Sequence, residues 1–193
     1  MIFRHTGQDL HHAADVFIHP HALVESDSIG RGTRIWAFAH VMHGAVVGRQ
    51  CNICDHSFIE SKVKIGDGVT IKNGVAVWDL VTIEDRVFVG PYAVFTNDRR
   101  PRAAVKKGPE DLVSTLVREG ATVGANATIV AGVTIGRYAM IGAGTVVLED
   151  VPEQAMVVGN PARLIGYVCI CGEVLDTDFR CACGQQFGHL RSA

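Results

Sequence analysis

An aliphatic side chain recurs at every sixth position from residue 29 to residue 89: Ile29, Ile35, Val41, Val47, Ile53, Ile59, Ile65, Ile71, Val77, Ile83 and Val89. The residue four further on is usually small, as in Thr33, Ala39, Ala45, Cys51 and Ser57. A period of six fits neither an amphipathic helix nor a half-buried strand. It marks a repeat architecture, in which each short unit buries its apolar face only by stacking on its neighbours. Three hexads make an 18-residue coil of a three-sided prism, each hexad a short strand plus a turn. Parallel coils then stack about 4.8 Å apart. Residues eighteen apart stand above one another, so the sequence reads as a map of columns.

The irregularities divide the chain. Val24 to Ile29 spans five residues, one short, which suits an atypical terminal coil. Residues 1–28 are expected to form an N-terminal cap and a first irregular coil. The pattern breaks at Phe95 and resumes at Val117, Val123, Ile129, Ile135, Ile141 and Val147. Residues 95–116 are therefore expected to leave one corner as a loop, and a loop of that length in a compact domain is functional or disordered. The prism closes near Gly166. From Tyr167 the composition changes, and Cys169-Ile-Cys171-Gly and Cys181-Ala-Cys183-Gly form two matched knuckles. Residues 29–166 read as the repeat domain and 167–193 as a small terminal module.

Composition narrows the function. Hydrophobic content is 48% but aromatic content only 7%, as an aliphatic core with small slots requires. A net charge of −2 gives no global field for nucleic acid or membrane. No apolar run reaches about 18 residues, and Met1–His12 has no apolar signal core. A soluble, cytoplasmic protein without nucleic-acid partner or membrane insertion is expected. In that setting six cysteines favour thiols or a metal over disulfides. Cys169, Cys171, Cys181 and Cys183 supply four thiolates for a tetrahedral, structural Zn²⁺, although C-x-C is tighter than the usual C-x₂-C knuckle. Reduced thiols or disulfides are the alternatives. Cys51 and Cys54 read as small core or corner residues.

The hexads, the loop and Gly159-Asn-Pro-Ala-Arg163 together resemble the left-handed parallel β-helix acyltransferases of the hexapeptide-repeat family. The left hand comes from this resemblance, since general crossover rules favour the right. Within the family, Asn52-Ile-Cys-Asp-His-Ser-Phe-Ile-Glu60, Ile71-Lys-Asn-Gly-Val-Ala-Val-Trp-Asp79 and Val87-Phe-Val-Gly-Pro-Tyr-Ala-Val-Phe-Thr-Asn-Asp98 are similar to N-acetyltransferases of nucleotide-linked 3-amino sugars. The resemblance covers residues 18–166 and leaves the cysteine tail outside. It implies homotrimers that bind acetyl-CoA and a UDP- or dTDP-linked amino sugar in the cleft between prisms, for polysaccharide or glycoconjugate synthesis.

Acyl transfer to an amine needs a neutral amine, a thioester held at near-attack distance and donors for the oxyanion. The column map gathers Asp55, His56 and Asn73, with Phe38 below His56 and Gly74 and Tyr92 above. A Gly over a His is expected to leave open volume. An imidazole accepts a proton near neutral pH, and Asp55 is a candidate to fix its tautomer, although neighbours on a strand point to opposite faces. Asn73 and Asp79 suit hydrogen bonds to the sugar. Both residue types are equally at home in turns. Unaided attack, with water taking the proton, stays open beside base catalysis by His56. Asn97, Asp98, Arg99, Arg100 and Arg102 of the loop form the candidate anion site, because guanidinium groups engage a diphosphate bidentately. The resemblance puts Asn160 and Arg163 at the adenosine end of CoA, with Asn126 and Arg137 on the last coils as helpers. Alternatives are O-acetylation of a sugar or small acceptor, and a non-catalytic assembly scaffold.

Overall fold

The structure, a computed structural model, describes residues 15–192. The expected cap lies mostly outside the described residues, because 1–14 are not among them. Among the described residues, twenty-two short strands build three sheets that wind as one prism. The first face stacks Phe17–Ile18, Arg34–Ile35, Asn52–Ile53, Thr70–Ile71, Phe88–Val89, Thr122–Val123, Met140–Ile141, Ala155–Val158 and Arg163–Tyr167. The second runs from Leu23–Val24 to Val146–Val147, and the third from Ser28–Ile29 to Thr134–Ile135. All pairings are parallel except the last, where Arg163–Tyr167 turns back antiparallel on Ala155–Val158.

The aliphatic column is the core: Ile35, Val41, Ile53, Ile59, Ile71, Val77 and Val89 are fully buried. Asn52 pairs with Thr70 and Ile53 with Ile71, eighteen residues on, as the period predicts. In the first coil the step is seventeen, Leu23 pairing with His40, because one residue is missing. The ladder also runs one position further than the aliphatic pattern. Phe95 is 1% exposed and pairs with Ile129, an aromatic ring in an aliphatic slot. The repeat therefore does not break at Phe95; only the residue type changes there.

Each coil turns its corners through left-handed backbone. One column, Phe38, His56, Gly74, Tyr92, Asn126 and Gly144, has φ between +56° and +72°. This conformation lets the corner amide bond the coil below, as in His56 N–H to Ala37 O (3.2 Å), Gly74 N–H to Asp55 O (3.0 Å) and Tyr92 N–H to Asn73 O (3.0 Å).

Ile83 pairs with Val117, thirty-four residues on, so sixteen (34 − 18) are looped out between Phe95 and Thr115. The loop is tied down. Val113 N–H donates to Asn97 O (2.9 Å) and closes its base. The Arg99 Nε–H donates to Ala131 O at 2.6 Å. Asp98 accepts from Lys107 Nζ (2.5 Å) and from the Arg100 N–H (2.7 Å). The Lys107 ammonium, helped by that N–H, holds the Asp98 carboxyl below the usual carboxylate range.

Two outcomes follow from this packing. Ile53→Ala removes a fully buried side chain and should cost about 2–5 kcal/mol in denaturant unfolding, whereas an outward-facing change such as Val46→Ala should stay within about 0.5 kcal/mol. A lowered folded pKa stabilises fully above the ordinary carboxylate value of about 3.9, and the contribution is lost as pH falls below it. Amide exchange across residues 98–108, corrected for intrinsic rate, should therefore rise below about pH 4. Lys107→Met should weaken that pH dependence, leaving only the part due to the Arg100 N–H.

Candidate active site

The corner between the first and second faces carries the first group of candidate residues. Asn73 Nδ2 donates to Asp55 Oδ2 at 3.3 Å, one coil apart. The Asp55 carboxylate is thus engaged with Asn73 and does not orient His56, its neighbour in sequence. The His56 side chain is exposed, and its ring nitrogens bond no described residue. Its ring packs on Phe38 with centroids 5.0 Å apart, and Phe38 stacks on His21 at 5.6 Å and 6°.

The expected open volume over Gly74 is filled. A Cβ on Gly74 would lie 2.4 Å from Tyr92 Cε1, so the tyrosine ring lies down over the glycine. The left-handed corner is imposed by the ladder at every level, so its occurrence at His56 is not itself a sign of function. The residue types are more informative. Left-handed backbone costs roughly 1–2 kcal/mol for an ordinary L-residue, and Gly and Asn escape most of it. Gly74, Asn126 and Gly144 suit it, while Phe38, His56 and Tyr92 are kept there against that cost.

Asp79 stands elsewhere. It lies on the next corner, between the second and third faces, where its Oδ1 accepts from the Lys62 N–H (2.8 Å) and its own N–H donates to Glu60 Oε2 (2.6 Å). The 96–114 excursion leaves from this same corner one coil on, with Thr115 N–H on Leu80 O. The candidates thus fall into two groups: Asp55, His56 and Asn73 come together at the column the spacing predicts, while Asp79 and the loop form a second group. Within the loop, Arg99 is spent on Ala131 O and Gly132 O, and Asp98 on Lys107. The Arg100 and Arg102 guanidinium groups are exposed and bond no described residue. With Lys106 they are the loop's available cations among the described residues.

Of the remaining candidates, Asn126 continues the His56 column. Arg137 is paired with Glu119 Oε2 at 3.1 Å. Asn160 precedes a cis peptide bond to Pro161. Arg163 is exposed and donates to Ala162 O (2.8 Å) beside a cleft lined by Leu148, Glu149, Pro152 and Leu164. Sequence reasoning missed His21, which joins the Phe38–His56 stack, and the His40–Glu25 contact (3.1 Å) backed by Phe58 and Trp78. The signal was present. The short first coil shifts the column step to seventeen, which brings residue 21 under residue 38.

At the C-terminus the four sulfurs converge, all within 4.8 Å of one another. Cys169 and Cys183 Sγ are 3.6 Å apart, as are Cys171 and Cys181. Ligands about 2.3 Å from a tetrahedral centre stand roughly 3.8 Å apart, so the cluster has the dimensions of a tetrathiolate metal site. The Gln185 N–H, followed by the Cys181 thiol, lowers Cys183 to about 7. The Cys183 N–H favours the Cys181 thiolate, but burial and the neighbouring thiols outweigh it and push Cys181 up to about 12. By contrast, Cys51 fills its small core slot with Sγ on Gly66 O (3.0 Å), and burial pushes both its thiol and that of Cys54 up. Neither has the environment of a reactive thiolate.

Known proteins share this architecture. The family described as bacterial transferase hexapeptide (six repeats) matches residues 28–61 and 114–149. A dTDP-3-amino-3,6-dideoxy-alpha-D-galactopyranose 3-N-acetyltransferase from Aneurinibacillus thermoaerophilus is 53% identical over 174 residues, covering 89% of this chain and 90% of that protein. The crystal structure of a hexapeptide-repeat acetyltransferase from Vibrio cholerae, complexed with acetyl-CoA, superposes with a TM-score of 0.55 at 26% identity, covering 74% of this chain and 71% of that one. A UDP-N-acetylglucosamine acyltransferase from Bacteroides fragilis (TM-score 0.65, 18% identity, 79% of this chain and 61% of that one) shares the fold. Among the described residues no helix is long and apolar enough to cross a membrane. The chain folds as an all-β left-handed parallel β-helix and belongs to the hexapeptide-repeat acetyltransferases.

Proposed function

We propose that the chain transfers the acetyl group of acetyl-CoA to the amino group of a nucleotide-linked amino sugar, of the dTDP-linked 3-amino-3,6-dideoxy class. The observation that carries this reading is the 53% identity to such an N-acetyltransferase along nine tenths of its length. Residues 29–166 form the transferase domain, with the excursion loop as part of it, and 167–193 the terminal module. The product serves surface polysaccharide or glycoconjugate synthesis, and the enzyme works in the cytoplasm, where nucleotide sugars and reduced thiols coexist.

The amine attacks the thioester carbonyl, a tetrahedral oxyanion forms, and the C–S bond breaks to release CoA. The amine proton passes to His56 and from it to the departing thiolate. The exposed imidazole at a protruding corner supports this role. Asn73, held by Asp55, orients the sugar; Asp79, although engaged with Lys62 through one oxygen, keeps the other for a hydroxyl. Asn97 and Asp98 shape the loop while Arg100 and Arg102, with Arg99 as their anchor, meet the diphosphate. Asn126, Arg137, Asn160 and Arg163 line the path of CoA. Four thiolates of Cys169, Cys171, Cys181 and Cys183 hold a structural Zn²⁺ and leave no open coordination position.

His56 and the Asp79 corner project from different edges of one prism. A homotrimer with sites between copies reconciles this with a single active site. The outward column of the second face, Leu23, His40, Phe58, Ala76, Val94, Thr128 and Val146, contains no Asp, Glu, Lys or Arg, which suits it to contact between copies.

A panel of amino-sugar nucleotides with acetyl-CoA, followed by thiol release, should give turnover with dTDP-linked 3-amino sugars and none with the hydroxyl analogues. Absence of turnover across the panel refutes the reading. His56→Asn should lower kcat by about 10²-fold with unchanged thermal stability. A loss of less than about tenfold means that the amine attacks unaided. Sedimentation should give a species three times the 20.7 kDa chain mass.

A further inference from the structure

The terminal module is a duplication at an offset of twelve residues. Tyr167, Cys169, Cys171, Gly172 and Leu175 correspond to Phe179, Cys181, Cys183, Gly184 and Phe187. The backbone repeats with them. Cys169 N–H donates to Glu173 O (2.8 Å) and Cys181 N–H to Gln185 O (2.9 Å). Leu175 N–H donates to Tyr167 O and Phe187 N–H to Phe179 O, both at 2.9 Å. Gly172 and Gly184 share φ +95°. Two copies of one hairpin thus face each other, and each presents two sulfurs. The buried core they enclose is Cys169, Leu175, Cys181 and Leu190, so half of it is thiol. A unit of fewer than 40 residues with so small a core normally needs a metal or disulfides to hold together.

The module is bolted to the solenoid around Gln154 and Tyr167. Gln154, 2% exposed at the last left-handed corner, donates from Nε2 to Val168 O (2.9 Å), while Val168 N–H donates to Gln154 O (2.8 Å). Tyr167 packs against both the solenoid core and the module core. Between this anchorage and Pro161 runs the terminal strand Arg163–Tyr167. It buries little of its own, since Leu164 and Ile165 are 51% and 55% exposed. Its place depends on its ladder to Ala155–Val158 and on whatever fixes its far end.

We propose that a soft divalent metal ion held by the four thiolates is the clasp that keeps the strand Arg163–Tyr167 in place as the last rung of the first face, and with it the position of Arg163. Metal loading orders the two hairpins, the hairpins fix Tyr167 and Val168, and these fix the strand. A tetrahedral set of four sulfurs selects zinc or iron over the hard cations. The effect on acetyl-CoA binding rests on the reading of Arg163 given above; the clasp itself does not.

The full chain purified without chelator should carry about one equivalent of metal. After its release by a thiol-competing chelator, refilling with Co²⁺ should give the absorption of a tetrahedral tetrathiolate. Hydrogen exchange should speed up at residues 154–168 on metal release and stay unchanged in the coils 29–94. KM for acetyl-CoA should rise about tenfold while KM for the amino sugar holds. Gln154→Ala should keep the metal and reproduce the faster exchange. If that variant does not fold, the comparison of loaded and stripped wild-type chain decides alone. Neither native metal nor Co²⁺ uptake, or unchanged exchange at 163–168 on release, overturns the proposal. Equal changes in both KM values overturn the link to Arg163. A chain inactive on every amino sugar refutes the enzyme reading and leaves the exchange result standing.

Discussion

Parallel stacking at a fixed step of eighteen residues is the constraint from which the rest of the structure follows. Each coil satisfies its backbone on both sides: strand amides such as Arg34 N–H donate to the coil above (Cys51 O, 2.8 Å), and corner amides such as His56 N–H donate to the coil below. Shorter steps of seventeen and sixteen are tolerated at the two ends, but within the stack extra residues have to be expelled for both sets to persist. The sixteen-residue excursion obeys this rule, because the ladder continues from Ile83 to Val117 as if nothing intervened. The inward aliphatic column then stabilises the stack, at roughly 1.5–3 kcal/mol for each fully buried side chain before the cost of ordering the chain.

The same constraint makes the corners chemically useful. A left-handed residue at each level projects its side chain outward from an edge that cannot shift, which is the rigid support a positioned group needs. Gly74 allows Tyr92 to lie flat against the edge. Phe38 and His21 stack beneath His56 and limit where its ring can go. Asp55 and Asn73 hold each other across one coil step. The loop corner works differently: Arg99 and Asp98 are consumed in fixing the loop, and this leaves Arg100 and Arg102 turned to solvent.

A solenoid has two open ends, and terminal repeats normally need caps. At the C-terminal end the last coil is short by two residues, Met140 pairing with Met156, and the chain reverses into an antiparallel strand that closes the first face. The cysteine hairpins follow the reversed strand and are tied back to the last solenoid corner through Val168 and Gln154. The cap and the proposed CoA end of the site therefore share one piece of backbone.

The sequence alone determined the prism, its three faces, its register and the convergence of four cysteines. Each rests on a strictly local signal, a residue type at a fixed separation. It also paired Asp55 with Asn73, because eighteen residues is one coil. What it missed came from features that a step of six does not encode. Phe95 kept its place in the column under a different residue type, His21 was hidden by a coil one residue short, and the space above Gly74 was closed by a ring from the next level. Only the tertiary structure decided which partner each polar residue takes. It gave Asp55 to Asn73 and not to His56, tied Asp79 to Lys62 and Glu60, and committed Arg99 and Asp98 to holding the loop. The physical reason is that a side chain's hydrogen-bond partners are fixed by direction and by competition among neighbours, and a column position specifies neither.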